Sequence, residues 1–462
     1  MGIALAALSL AGCANFSGDG GMAPVAARVA ADTGQDAVKI ADADAAQRAQ
    51  ARVAELLAAP LTADAAAQVA LLNNRGLQAA YNAFGIAETA MVEAGLPRNP
   101  TVSVERITGS GVVSLEARLA GDLLSFATVP VRRDIGAAQF RAAQHRAVAA
   151  TLRTAAEARR AFYRAVAAAA LAGYLERALV AADAAADLTR RLGETGAAGR
   201  LDQARAAAFR AETAAQLARA RHAAAARRAA LDRALGVWGA DADYALPDAL
   251  PPVPADVADG ATVEADAVRR RLDLAIARED LDLTARALGL TEATRFVSVL
   301  ELSGIRDTAT GEPRRYGFEV ALQIPLFDFG EVGVRRARET YLQAVNRLAE
   351  RAVDVRTEAR TAWFAFRAAH DVWRLYDGHI LPLRRIVSDE ALYRYNGMLT
   401  DAFELLTTAR EGIAANMAAI EAARDVHLAA VDLQQAVIGG GDGPDSPEPT
   451  LAVAAPGSAG GH

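Results

Sequence analysis

Apolar residues recur every three or four positions over most of this chain, and every second position over four short stretches. The clearest helical run lies in the second half. Val334, Ala337, Tyr341, Ala344, Leu348, Ala352, Val355, Ala359, Ala362, Phe366, Ala369, Trp373, Tyr376 and Ile380 step by three or four throughout. A mean step of about 3.5 residues is that of a coiled-coil seam. At 1.5 Å per residue the run would span roughly 70 Å. No average core helix is that long, so the seam predicts packing on other long helices, from this chain or from further copies.

The alternating stretches come in pairs. Thr101–Ile107 and Val113–Ala120 flank Thr108-Gly109-Ser110-Gly111, a hairpin signal. Arg295–Ser303 and Tyr316–Ile324 form the second pair, with Gly304–Arg315 reading as a long charged loop. In the last run Phe318, Val320, Leu322 and Ile324 alternate with Glu319, Ala321 and Gln323. Each run is near the length of a tilted strand that crosses a bilayer, about 9 to 11 residues. The alternation suits lipid on one side and water on the other. Four strands cannot close a barrel, and open edges are not tolerated in lipid. Spanning strands would therefore predict a barrel built from several chains.

The order of elements recurs. A helix from its N-cap Thr62 to about Gly95 stops at Leu96-Pro97-Arg98-Asn99-Pro100. After the first hairpin, Val131–Leu235 reads helical with one interruption near Gly193–Gly199. Residues 239–260, with Pro247, Pro251, Pro252 and Pro254, read as a linker. A helix over about Thr262–Leu288, the second hairpin and a helical region to Ile438 follow, interrupted near Asn396-Gly397. Val102-Ser103-Val104 aligns with Val297-Ser298-Val299, and Val129-Pro130 with Ile324-Pro325, both at an offset of 195. Glu157 with Glu358, Phe162-Tyr163 with Trp363-Phe364, and Gly196 with Gly397 share an offset of 201. The chain thus divides into 1–12, a leader segment 13–60 with partial helix, a first repeat 61–238, the linker, a second repeat 261–438, and a tail 439–462. The tail is rich in Gly, Pro and Ser and is expected to be disordered.

Composition sharpens this picture. Of 462 residues 52% are hydrophobic but only 5% aromatic. Alanine makes up roughly a quarter, far above ordinary usage, which favours long helices in close contact. A net charge of −6 excludes a basic nucleic-acid footprint. The single cysteine, Cys13, excludes an internal disulfide and any multi-cysteine metal site. It follows an apolar run, Ile3–Leu10, too short to span a bilayer. Leu10-Ala11-Gly12-Cys13 looks like a bacterial lipobox, making Cys13 a lipidated first residue after signal-peptide cleavage. The Lys or Arg that normally precedes such a run is missing, which points to a start further upstream. No other stretch of 18 or more apolar residues occurs, so no transmembrane helix is expected.

The usual carriers of chemistry are absent from the sequence. The six histidines, His145, His222, His370, His379, His427 and His462, form no metal-ligand spacing. There is no P-loop, dinucleotide fingerprint or nucleophile elbow. No enzyme, cofactor or metal site is expected.

Several segments together resemble TolC-type outer-membrane efflux proteins, over about Leu61–Gly440. Val69-Ala70-Leu71-Leu72-Asn73-Asn74 with Leu77-Gln78-Ala79-Ala80 is similar to the family's first helix. Ala94-Gly95-Leu96-Pro97-Arg98-Asn99-Pro100-Thr101-Val102 resembles its approach to the first strand. Ile324-Pro325-Leu326-Phe327-Asp328-Phe329-Gly330 resembles its exit from the last strand. Tyr395-Asn396-Gly397-Met398 with Phe403-Glu404-Leu405-Leu406 is similar to its periplasmic turn. The resemblance implies a mainly α protein with β: a homotrimer whose four strands per protomer close an outer-membrane β-barrel, continued by a periplasmic α-helical barrel. It implies the duct of a tripartite efflux or type I secretion-like system, docked to a periplasmic adaptor and an inner-membrane transporter. It places Gly196, Asp202, Gly397 and Asp401 at the periplasmic tip, where the adaptor would dock. A plain N-cap is the competing reading of Asp401. At both turns Gly would supply backbone freedom. One departure is visible: Val129-Pro130-Val131-Arg132-Arg133 stands where the second half has a Gly-containing turn, so the two strand–helix junctions are expected to differ. A periplasmic coiled-coil adaptor lipoprotein is the alternative. It would need one helical hairpin between β-rich domains rather than two hairpins.

Overall fold

The computed structural model describes residues 15–109, 111–254, 259–397 and 399–439. The signal-like run, Cys13 and all of the tail past residue 439 lie outside the described residues.

The stretch expected to be a leader is part of the core. It forms α1 (Met22–Thr33) and α2 (Ala43–Leu57), and Val25 and Val29 are fully buried. Between these helices the backbone is held by two glutamine side chains. Gln68 accepts from the Asp36 amide at 2.8 Å and donates to the Asp36 carbonyl at 3.0 Å. Gln78 accepts from the Ile40 amide at 2.9 Å and donates to the Val38 carbonyl at 3.0 Å. Each side-chain amide offers donor and acceptor together, so the pair does the work of a neighbouring strand. Few apolar residues anchor the segment, which is why its periodicity is weak.

α3 (Ala63–Asn73) starts where expected, with Thr62 Oγ1 accepting the Ala65 amide at 3.1 Å. The single helix predicted to Gly95 is broken at Asn74, whose backbone is extended. Its side chain then caps α4 (Arg75–Ala94) by accepting the Leu77 amide. β1 (Thr101–Gly109) and β2 (Val112–Asp122) follow. β2 runs straight into α5 (Leu123–Glu194), because Asp122 is also the N-cap and accepts the Ser125 amide at 2.9 Å. The helix therefore begins eight residues before the expected Val131, with Pro130 inside it. That proline leaves the Phe126 carbonyl without its amide donor. At 72 residues α5 would extend roughly 108 Å. It contains an 18-residue window of mean hydropathy 1.5, long and apolar enough to cross a membrane by composition. Counting consecutive apolar residues in the sequence predicts none. Alanine raises the hydropathy of such a window without adding bulk, and the helix packs along its length on its neighbours.

α6 (Arg200–Leu235) returns antiparallel to α5. A 3₁₀ turn, Gly239–Ala242, leads to α7 (Gly260–Arg270) and α8 (Leu272–Ala293). These two were expected as one helix and are separated by an extended Arg271. The apolar period continues through both breaks, so periodicity alone does not mark them. β3 (Val299–Ala309) and β4 (Arg315–Gln323) come next. Then α9 (Glu331–Leu375), a π turn (Tyr376–Ile380) and α10 (Leu381–Asn396) form one long rod, and α11 (Ala402–Ile438) returns along it.

Arg271 is completely buried and clamps this second half together. It pairs with Asp273 at 3.0 Å and with Glu358 on α9, and donates to the Ala436 carbonyl on α11 at 3.2 Å. Arg351 closes the set on Asp273 at 2.5 Å. Two guanidiniums thus face two carboxylates, the balance a buried charge requires.

Candidate channel wall and tip

The four strands form one antiparallel sheet in the order β1-β2-β3-β4. Its register sorts side chains onto two unlike faces. One face carries Val102, Val104, Leu115, Leu119, Leu300, Leu302, Phe318, Val320 and Leu322. This apolar face is the open one: Val102 is 69% and Phe318 79% exposed. The other face carries Glu105, Glu116, Arg118, Glu301, Ser303, Asp307 and Glu319, and is the more covered, with Ser303 only 3% exposed. Arg118 reaches over β3 from β2 to Glu319 on β4, at 2.9 Å, and also meets Glu116 at 3.3 Å. A water-soluble sheet would place these faces the other way round. β1 and β4 have no strand partner on their outer edges among the described residues, and every residue in both is exposed.

The expected strand limits hold for β1, β2 and β4 to within a residue or two. They do not hold for β3, which starts at Val299 rather than Arg295 and runs to Ala309 rather than Ser303. Half of the expected Gly304–Arg315 loop is therefore strand. Its charges suggested a loop, but the pleat sends Arg306 and Asp307 to opposite faces, and the backbone pairs with β2 from Ser114↔Ala309 to Asp122↔Glu301.

The helix-side end of the sheet is ringed by exposed aromatics: Phe126, Phe296, Phe327 and Phe329. Here the two junctions do differ. After β4 the chain turns through Phe329 (φ 49°) and Gly330 (φ 75°) before α9. A Cβ on Gly330 would lie 2.2 Å from the Arg295 carbonyl oxygen, so only glycine fits.

On the rod formed by α9, the π turn and α10, all fourteen residues of the predicted seam are half-buried or buried. The seam serves packing within the chain, against α7, α8 and α11. A second stripe escaped the heptad reading. Leu342, Val353, Phe364, Leu375 and Ile386 recur every 11 residues, and all five are exposed. That interval keeps one face in line over three turns.

At the far end from the sheet, the α5–α6 and α10–α11 turns lie side by side. Arg205 on α6 stacks over the Phe403 ring on α11 at 4.4 Å, and Arg410 pairs with Glu212 at 3.0 Å. Ala182, Ala206, Phe209 and Leu406 are buried between them. The structure thus brings the four predicted tip residues to one end. Gly196 takes a left-handed conformation (φ 82°) as expected. Gly397 does not (φ −81°) and caps α10 in a conformation open to any residue. Asp401 is the N-cap of α11, accepting the Glu404 amide at 3.0 Å, while Thr400 donates to the Glu404 carboxylate. Asp202 lies in the first turn of α6, 3.7 Å from Arg205. Among the described residues no group of three or more His, Cys, Asp or Glu is placed to hold a metal.

This arrangement of helices and sheet is the fold found in solved outer-membrane channels. The Campylobacter jejuni CmeC outer membrane channel matches with a TM-score of 0.68 at 17% identity, over 82% of this chain and 86% of that one. The Vibrio cholerae outer membrane protein VceC matches at 0.69 and 17%, over 85% and 98%. The open-state Neisseria gonorrhoeae MtrE outer membrane channel matches at 0.67 and 18%, over 81% and 88%. No family profile matches the chain, and no curated protein matches it in sequence.

Proposed function

We propose that this chain is one protomer of a homotrimeric, TolC-type outer-membrane efflux duct. The observation that carries the reading is the inverted sheet. Its apolar face is open, its charged face is the more covered of the two, and both its edges are unpaired among the described residues. An unpaired edge is costly in lipid, and three copies of four strands would close a twelve-stranded barrel. The open stripe on α9 and α10 supports copies packed side by side as a helical barrel. The two helix–hairpin–helical-hairpin units would then be structural repeats, each giving one wall segment. The aromatic ring at the helix-side end fits the periplasmic membrane interface.

In this reading the duct is passive, crosses the outer membrane and extends into the periplasm. The tip at Gly196, Asp202, Gly397 and Asp401 docks a periplasmic adaptor, and an inner-membrane transporter supplies the energy. Cys13 carries a lipid anchor. The fold shared with CmeC and MtrE, both outer membrane channels, supports this.

Liposome conductance tests it. A heat-resistant trimer should conduct once its tip is loosened; a trimer that stays silent would sink the duct reading. Cys13→Ala should leave the protein in the outer membrane, because the strands hold it. Full release to the periplasm would instead point to an adaptor.

A further inference from the structure

The apolar face of the sheet contains no carboxylate, yet it carries arginines at one end only. The register places Arg106 of β1 in a row with Leu115 and Thr308, and Arg306 of β3 in the next row with Val104, Ala117 and Tyr316. Arg314 directly precedes β4 and has the parity of Tyr316 and Phe318, which continues the same face to the turn. Each sits within three residues of its hairpin turn, at the end away from the helices. All three are exposed, and none makes an ion pair among the described residues. Arg306 lies over the Tyr316 ring at 6.0 Å. The two other strand arginines, Arg118 and Arg315, lie on the charged face and are paired, with Glu319 and Glu312.

A charged side chain on a lipid face is tolerated near an interface and not at mid-depth, because a long side chain can snorkel to the headgroups. Two strands at about 4.8 Å spacing and one row offset put Arg106 and Arg306 roughly 12 Å apart at Cα. Long guanidinium side chains starting there can converge on one large headgroup. Guanidinium also pairs phosphate bidentately, in a geometry an ammonium cannot match.

We propose that Arg106, Arg306 and Arg314 form an outward-facing collar that binds the phosphates of an outer-leaflet lipid headgroup. The proposal rests on the reading that the sheet crosses the outer membrane. Charge complementarity commits the occupant: the collar offers only cations, on a face otherwise uncharged, at the height where lipid phosphates lie. The lipid would seal the outer rim of the barrel and fix its depth.

The test uses the full-length trimer in detergent and native mass spectrometry of bound lipid. The probes are lipid A bearing both phosphates and its dephosphorylated form. The wild-type trimer should prefer the phosphorylated form by about tenfold or more at low salt, where arginines near an anionic surface attract most strongly. The triple variant Arg106→Gln, Arg306→Gln, Arg314→Gln should remain a heat-resistant trimer and bind both forms alike. Arg118→Gln, on the other face, should keep the preference. Equal binding of both lipids by the wild type, or an undiminished preference in the triple variant, overturns the collar. Flotation with phosphatidylcholine vesicles tests the underlying reading separately: failure of the wild type to float would remove the membrane sheet itself.

Discussion

Asp401 accepts the Glu404 amide, so its charge and its capping role can be separated. Asp401→Ala should cost about 1 kcal/mol of stability, the usual loss for a removed N-cap, and should speed proteolysis at the turn. Asp401→Asn keeps the acceptor. If it leaves conductance unchanged, the residue is a cap and nothing more; if it alters gating, the charge acts at the tip. Arg271 makes a larger claim. Arg271→Ala leaves the largely buried Asp273 and the half-exposed Glu358 with Arg351 as their remaining partner, so the loss should fall below the roughly 3–5 kcal/mol of a fully buried broken pair. A denaturation midpoint close to wild type would show that Arg351 suffices. His427 sets a pH dependence. Burial pushes its imidazole below the ordinary 6.5, only partly opposed by the bond it donates to the Pro251 carbonyl. His145 is lowered as well, again chiefly by burial. A base depressed in the folded state is protonated first in the unfolded chain, so this stability is full above about pH 6.5 and is lost as pH falls from there to the lower folded value. Asp280, whose carboxyl burial raises, works in the opposite sense. Urea midpoints should therefore drop between pH 7.5 and 5.5, and His145→Gln with His427→Gln should flatten the drop.

The elements differ in how plainly the sequence states them. β1, β2 and β4 are legible from alternation because one face of each carries apolar residues at every second position, Val102 and Val104, Val113, Leu115 and Leu119, and Phe318, Val320 and Leu322. β3 slipped because its outer half carries Arg306 and Asp307, whose separation by the pleat is a tertiary fact. The helix breaks at Asn74 and Arg271 were invisible because packing on both sides needs the same apolar period. The burial of α1 and α2 was missed because a few valines and two glutamine clamps hold them, not a continuous stripe. The tip turns were legible from glycine and polar residues; that Asp401 caps its helix follows from its position just before α11. The seam of α9 was legible in period but not in partner: it faces this chain, and the stripe through Val353 and Phe364 faces outward. That stripe gives a prediction. Val353→Glu with Phe364→Glu should leave the helical content of the chain intact, since neither residue is buried, and should dissociate the proposed trimer in light scattering. A trimer unaffected by both charges would put the contact between copies elsewhere.

At the scale of the whole molecule the charged sheet face would, in the proposed duct, bear on what passes. Glu105, Glu116 and Asp307 occupy one cross-strand row, which ends at Arg315 on β4. Like charges directly opposite one another destabilise a sheet, so the row is a cost to the fold. Arg118 is taken up by Glu116 and Glu319, and Arg315 by Glu312, leaving Glu105 and Asp307 without an ion-pair partner among the described residues. In a closed trimer the row would repeat three times around the lumen. Rings of carboxylates favour cations, and their reach is about 10 Å at 0.1 M salt but only about 3 Å at 1 M. The duct should therefore select cations weakly, and only in dilute salt. In bilayers under a tenfold KCl gradient, the reversal potential should take the cation sign at low mean concentration and shrink towards zero near 1 M. Glu105→Gln with Asp307→Asn should bring it towards zero at both. An anion-selective pore, or a selectivity that survives molar salt, would mean that this face does not line the water path.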